Sequence, residues 1–152
     1  MIVRDFEPAD EPACRALFAE LVEVHRALYP DGNVGGEFQL EERMLVAEDA
    51  GRVLGYVGLR RHPKSVELEP VVVEQAQRGR GVGRALVERA VEEARAAGVQ
   101  RVYVSPVGRN RDAIAFFHSV GLDTIGYVHL QLDLEPRERR SGERLAGRDF
   151  RV

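Results

Sequence analysis

The chain has 152 residues, 44% of them hydrophobic and 31% charged, which fits one domain with its own core and excludes collagen-like or bulk disordered sequence. Its formal net charge is -3, and of its 22 basic residues only Lys64 is a lysine. This mild acidity argues against nucleic acid as a partner. No apolar run approaches the roughly 20 residues of a membrane helix, and the opening MIVRDFEPADEP lacks the basic-then-apolar pattern of an export signal. The single cysteine, Cys14, permits neither an intramolecular disulfide nor a cysteine-based zinc site. The expectation is a cytoplasmic protein with no metal site and no nucleic-acid or membrane partner, a homodimer being left open.

Ile2 to Phe6 alternates and reads as a first strand. Asp10 is placed to cap the next segment, with Pro12 in its first turn. Leu17, Leu21, Val24 and Leu28 recur at helical spacing, flanked by Cys14, Phe18 and His25, and define an amphipathic helix to about Tyr29. Pro30-Asp31-Gly32-Asn33 and Gly35-Gly36 end it in a loop, and Glu37 to Met44 reads as a short second helix. Leu45 to Glu48, Val53 to Leu59 and Val66 to Val73 are strand-like and separated by short turns, which predicts antiparallel hairpins. Pro70 lacks the amide that a ladder needs, so the third of these strands lies at an edge or carries a bulge.

Val82 to Ala97 is a strong helix whose Val82, Leu86, Ala90 and Ala94 share one face beside Val87 and Val91, with Gly98 where a left-handed cap belongs. Arg101 to Pro106 reads as a strand, Arg111 to Val120 as a short helix ending at Gly121, and Asp123 to Val128 and His129 to Leu134 as one or two closing strands. The order predicts an α/β (α+β) domain, a mixed and mostly antiparallel sheet flanked by helices, over residues 1–134. Residues 135–152, with six arginines and four acids, read as a charged C-terminal tail or surface arm in which Asp149 to Val152 adds at most an edge strand.

The most informative stretch joins the third of these strands to the long helix. Val71, Val72 and Val73 run into Arg78-Gly79-Arg80-Gly81-Val82-Gly83-Arg84. Glycines remove side chains where a ligand approaches the backbone, and a helix N-terminus offers unpaired N–H groups and a favourable dipole to an anion. With Arg78, Arg80 and Arg84 beside it, the loop reads as a phosphate or pyrophosphate cradle; the bland alternative is a tight turn. The dinucleotide fingerprint G-x-G-x-x-G fails at Arg84 or Leu86, and Gly83-Arg84-Ala85 lacks the ending of a P-loop.

Arg78-Gly79-Arg80-Gly81-Val82-Gly83 matches the R/Q-x-x-G-x-G/A signature of the GNAT acyltransferases. Asn110-Arg111-Asp112-Ala113-Ile114-Ala115-Phe116-Phe117-His118-Ser119-Val120-Gly121-Leu122 resembles that family's N-x-x-A-I-x-F-Y-x-x-x-G-F segment. The resemblance covers about residues 2–134. It implies binding of acetyl-CoA as acyl donor and transfer of the acetyl group to an amine acceptor. It further implies that the loop amides hold the pyrophosphate, that Val71 to Val73 hydrogen-bond the pantetheine arm, that Asn110 and Phe117 border the cofactor, and that Pro70 marks a bulge splaying two parallel strands into the acyl-CoA slot.

Aminolysis of a thioester needs a neutral amine, hence a group that takes its proton. Glu67 and Glu69 precede Val71 and by simple alternation share its face; the family often places a base glutamate on this strand, although a lone surface glutamate there is about as common. The family's usual general acid is the tyrosine at the position of Phe117, which has no proton to give. Tyr103, Tyr127, His118 and Ser105 are substitutes among which spacing does not choose. By the same analogy His25 to Phe38, with Tyr29, Asp31 and Glu37, borders the acceptor. No serine or cysteine stands as a recognisable nucleophile, so the expected reaction is direct N-acetyl transfer to a primary amine in a ternary complex. The rival is a non-catalytic acyl-CoA-binding module in which Phe117 marks lost chemistry.

Overall fold

Two sets of apolar residues, one on each face of a single sheet, organise the molecule. The computed structural model describes residues 1–30, 32 and 36–152; Asp31, Asn33 and Gly35 of the expected loop lie outside the described residues. The sheet has the order β1-β2-β3-β4-β5, with β1 at Ile2–Asp5, β2 at Arg43–Asp49, β3 at Arg52–His62, β4 at Ser65–Val73 and β5 at Arg101–Tyr103. All neighbours are antiparallel except β4 and β5. Helix α1 (Glu11–Leu28) covers one face, where Cys14 and Leu17 meet Met44, Val46, Tyr56 and Val72. Helix α2 (Val82–Ala96) covers the other, burying Val82, Leu86, Val87, Ala90 and Ala94 against Leu45, Val57, Leu59, Val66 and Leu68. This is the face read from the 3.6-residue period, and Gly98 follows the helix at φ +69°. Helix α3 is Arg111–Ser119.

The bulge expected at Pro70 is present. Val57 pairs with Val71 but Leu59 pairs with Leu68, so β4 carries one extra residue opposite Gly58. A Cβ at Gly58 would lie 2.3 Å from the Glu69 carbonyl oxygen, so no larger residue fits there without moving the backbone. The extra residue also shifts the phase of the strand. Val66 and Leu68 pack toward α2 before it, whereas Val71 and Val73 do so after it. Glu67 and Glu69 therefore do not share the face of Val71. Glu67 faces away from Leu68, toward the α1 side, and Glu69 lies close enough to Tyr56 on that side for its charge to act on the hydroxyl.

Other expectations are corrected as well. Asp10 does not cap α1 with its side chain. It turns back, accepting both arms of the Arg4 guanidinium at 2.7 and 2.9 Å and the Glu7 amide at 2.8 Å, because a charged fork is a stronger donor than one peptide N–H. Glu37 to Met44 is not helical; β2 starts at Arg43, and Phe38 stands edge-on to Phe18 and Tyr56 while Met44 enters the α1-side core. Those contacts place the apolar residues better than a short helix would. Residues 123–134 form no strand, and β5 stops at Tyr103 rather than Pro106. Beyond them the charged C-terminal stretch folds as a hairpin of β6 (Ser141–Leu145) and β7 (Arg148–Arg151). Arg109 fastens it: the guanidinium donates to the Leu28 and Glu138 carbonyls, both at 2.9 Å, over the Tyr29 ring.

Candidate functional site

β4 parts from β5 at a fork. The two strands pair at Ser65–Arg101, Val66–Val102 and Glu67–Tyr103, while β4 stays bonded to β3 as far as Val73. From Leu68 to Val73 the edge of β4 turned away from β3 carries no strand among the described residues. Arg78 reaches it, its Nε donating to the Val73 carbonyl at 3.3 Å. An edge of this kind pairs readily with an extended ligand that carries amides.

The glycine loop stands at one end of that edge. Gly79 and Gly81 hold φ of +74° and +86°, a region costly to residues with a Cβ, and Gly81 is the residue before the first turn of α2. The Gly81 carbonyl accepts from Ala85 N at 3.0 Å. None of the amides of residues 79–84 donates to a protein group among the described residues. They form a set of orphan donors at the positive end of a fifteen-residue helix. Gly83 serves another purpose: a Cβ there would meet the Phe116 ring at 3.0 Å, so its bareness lets α3 pack on α2. The arginines are exposed. Arg80 donates to Gln77 at 2.8 Å and Arg84 to the Ser119 carbonyl at 3.1 Å, contacts that an anion at the loop competes with in water.

At the fork the two glutamates differ. Glu67 is held from several sides: Ser105 Oγ donates to Oε1 at 3.2 Å, and the Tyr103 hydroxyl lies 3.5 Å from Oε2 and 3.1 Å from His62 Nε2. Arg60 and His62 stand 3.7 and 3.8 Å from the same oxygen. Arg60 in turn is held by Glu41 at 2.5 Å. Glu69, half-buried, has no hydrogen-bond partner among the described residues. Burial first, then the Glu67 charge, raise its pKa, with Glu41 adding to the rise and Arg60 opposing it. A carboxylate with raised proton affinity and free oxygens is chemically suited to take a proton.

Sequence reasoning missed Glu41, Arg60 and His62. The latter two were within its reach, because the short turn after β3 fixes His62 opposite Ser65 and Arg60 opposite Glu67. Asn110 caps α3, its Oδ1 accepting from Ala113 N at 3.1 Å. Phe117 is half-buried, its ring 5.1 Å from that of Phe116. Burial pushes the Cys14 thiol up to about 12, which suits a core residue and not a nucleophile. On the side assigned to the acceptor, Tyr29 is committed to structure, its hydroxyl accepting from Arg109 N at 3.0 Å. Burial lowers the pKa of His25, Glu37 is exposed, and Asp31 lies outside the described residues.

The model of the Acetyltransferase (GNAT) family matches residues 6–122. Glucosamine 6-phosphate N-acetyltransferase 1 of Oryza sativa subsp. japonica is 35% identical over 101 residues, 64% of this chain and 56% of its own. N-alpha-acetyltransferase RimI of Mycobacterium tuberculosis is 34% identical over 84 residues, 53% of this chain and 51% of its own. The chain thus spans about half the length of these curated relatives. A crystal structure of a point mutant of the BH1408 protein of Bacillus halodurans shares the fold, with a TM-score of 0.78 at 23% identity over 89% of this chain and 100% of that one. No helix among the described residues is long and apolar enough to cross a membrane.

Proposed function

The chain belongs to the acetyltransferase (GNAT) family, and from that premise we propose that it is an acetyl-CoA-dependent N-acetyltransferase acting on a primary amine by direct transfer. The observation that carries this reading is the juxtaposition, on one strand, of a free peptide edge, a cradle of orphan amides at its end, and an unengaged carboxylate at the fork. The residues suit the donor. The amides of residues 79–84 take the pyrophosphate, Arg78, Arg80 and Arg84 add charge, and the β4 edge at Val71, Val72 and Val73 takes the pantetheine amides. Val82 and Gly83 lie in the first turn of α2, whose dipole favours the anion. When bound, acetyl-CoA supplies an activated acetyl thioester.

Glu69 is the base and Glu67 its positioning neighbour. The acceptor ammonium would give one proton to Glu69, and the freed nitrogen lone pair would form the new C–N bond with the acetyl carbon; the second N–H proton would pass to the departing sulfur as the C–S bond breaks, so that CoA leaves as the thiol and Glu69 returns its proton to water. Glu67 sets the field that keeps Glu69 basic and is itself tethered by Ser105 and Tyr103. The acidic fork also attracts a cationic acceptor before its proton is lost. Phe117 supports a second reading, an acyl-CoA-binding module without turnover, because no hydroxyl stands at the family's tyrosine position. A turnover screen with acetyl-CoA across small amines, amino acids, aminoglycosides and peptide N-termini, read as free thiol, separates the two. Thiol release that depends on an amine supports the transferase. Tight CoA binding with no turnover on any class supports the module.

A further inference from the structure

Tyr56 is the largest fully buried side chain among the described residues, and its hydroxyl has no use in the packing around it. The residue lies on β3 between Val46 of β2 and Val72 of β4. Its ring shares the α1-side core with Cys14, Leu17 and Met44, and Phe38 stands edge-on to it at 6.1 Å. Phenylalanine fills such a space as well. The hydroxyl forms no hydrogen bond among the described residues, and a buried polar group left unpaired costs stability. Native cores seldom keep one without a role for it.

Two ionisable neighbours act on this hydroxyl. Burial pushes its pKa up, and the charges of Cys14 and then Glu69 add to the rise, so it keeps its proton and can donate. The Cys14 thiol is itself held protonated by burial, and a thiol is a weak acceptor. Glu69 is the strong one, since an ionised carboxylate only accepts, and its oxygens are unengaged among the described residues. Register brings the two side chains to one face. The extra residue of β4 opposite Gly58 turns Glu69 to the Tyr56 side of the sheet. Gly58, two residues on from Tyr56, shares its face and has no side chain to stand between them.

We propose that Tyr56 is a positioning residue for Glu69: its hydroxyl donates to the ionised carboxylate and holds it at the fork for the acceptor amine. This rests on the reading of Glu69 as the base. The side-chain torsions of Glu69, which is only half-buried, let the carboxylate turn onto the hydroxyl while the backbone stays in place. Glu67 on β4 and Glu41 before β2 disfavour the ionised form, as burial does, and Arg60 on β3 favours it. The Tyr56 bond acts on the side of Arg60, because a donor favours the charged state of its acceptor. A cost in the core is thereby matched by order at the site, the pattern expected where a local rule is broken for function.

Carbon NMR of chains labelled at the glutamate carboxyls and the tyrosine rings tests this without turnover. The Glu69 signal is assigned by its loss in Glu69→Gln. In Tyr56→Phe the Glu69 midpoint is expected to rise by about one pH unit, whereas in Glu67→Gln it falls. In the wild-type chain the Tyr56 ring carbon that bears the hydroxyl is expected to shift at the Glu69 midpoint, a step absent from Glu69→Gln. A midpoint unchanged or lowered in Tyr56→Phe overturns the proposal. So does a Tyr56 signal indifferent to Glu69, whether or not the variant folds. The pH–rate profile then separates the positioning role from the base itself. Its acid limb is expected to move up with the midpoint in Tyr56→Phe, with CoA affinity kept. A limb that stays while the midpoint moves removes Glu69 as the base, and the positioning role with it. An unmoved midpoint, in a chain whose Glu69→Gln variant has lost activity, overturns Tyr56 alone.

Discussion

The two ends of the β4 edge are built by different means. At the glycine loop the proposed binding rests on the backbone: orphan amides, two glycines at positive φ and the start of α2, all supplied by consecutive residues. At the fork the proposed chemistry rests on side chains, and they come from β3, β4, β5 with the residues just after it, and the segment before β2: Arg60 and His62, Glu67 and Glu69, Tyr103 and Ser105, and Glu41. Binding is thus assigned to a local device and chemistry to a tertiary one. Substitutions at the two ends should therefore fail differently, the loop in affinity and the fork in rate.

The largest effect should come from Glu69→Gln. Loss of a positioned base costs on the order of 10²–10⁴-fold in kcat, and CoA affinity measured by calorimetry should stay unchanged. Sign follows from the cause. Burial and the Glu67 charge disfavour the ionised form of Glu69, and the base works only when ionised. Activity should therefore rise with pH through a pKa above the ordinary glutamate value of about 4.3. Glu67→Gln removes a charge that raises this pKa, so the acid limb of the pH–rate profile should move to lower pH. An unchanged limb in Glu67→Gln, together with full activity in Glu69→Gln, would remove the base from this strand.

Gly81→Asp attacks the other end. A residue with a Cβ in the left-handed region costs about 1–2 kcal/mol, and a carboxylate beside the orphan amides repels the anion. At about 1.4 kcal/mol per tenfold, CoA affinity should fall on the order of 100-fold, while kcat at saturation is largely kept. Unchanged affinity in a folded variant would refute the cradle. Gly83→Asp is a poorer probe of binding, because its side chain collides with Phe116 and lowers Tm as well.

This contrast also explains what the sequence discloses. The loop and the α2 face are legible because they follow from neighbouring residues, through glycine positions and a 3.6-residue period. Pro70 announces the bulge, but its consequence, the transfer of Glu67 and Glu69 to the face opposite Val71, depends on where β3 receives the extra residue, at Gly58. The partners of Glu67 depend on hairpin register and on β5, elements distant in sequence. Asp10 has the composition of a cap, yet the guanidinium of Arg4 outcompetes the helix for it. Alternation in 123–134 is plain, but a strand needs an edge to pair with, and among the described residues this segment pairs with none.

A smaller effect is expected from the arginines. Arg78, Arg80 and Arg84 are exposed, and exposed charge pairs contribute about 0–1 kcal/mol each. Substituting each with Ala should weaken CoA binding a few-fold at low salt and less as salt rises, since screening already does part of the same work. If the triple variant binds as the parent does at every ionic strength, the cradle is the backbone alone, and the contrast between a backbone end and a side-chain end is complete.

The smallest and most discriminating change is Phe117→Tyr. Phe117 is half-buried beside Phe116, and the substitution adds a single hydroxyl, so the fold and CoA affinity should hold. If thiolate departure limits turnover and the new hydroxyl reaches the sulfur, kcat rises; general acid assistance has an upper range of about 10²–10⁴-fold. The fork argues for the opposite outcome. There a half-buried carboxylate with raised proton affinity stands ready to take the amine proton in the proposed reaction, and on that proposal loss of this proton, not thiolate departure, is expected to limit the rate. A thiolate is a good leaving group near neutral pH, its ordinary pKa being about 8.5. Phe117→Tyr should therefore leave kcat nearly unchanged, within about two- to threefold, and should not restore Glu69→Gln. The rate is read as free thiol with a verified amine acceptor, since hydrolysis of acetyl-CoA does not report on the amine step. A large gain in Phe117→Tyr would move the slow step from the carboxylate fork to the leaving group and make the missing tyrosine, not Glu69, the residue that sets the rate.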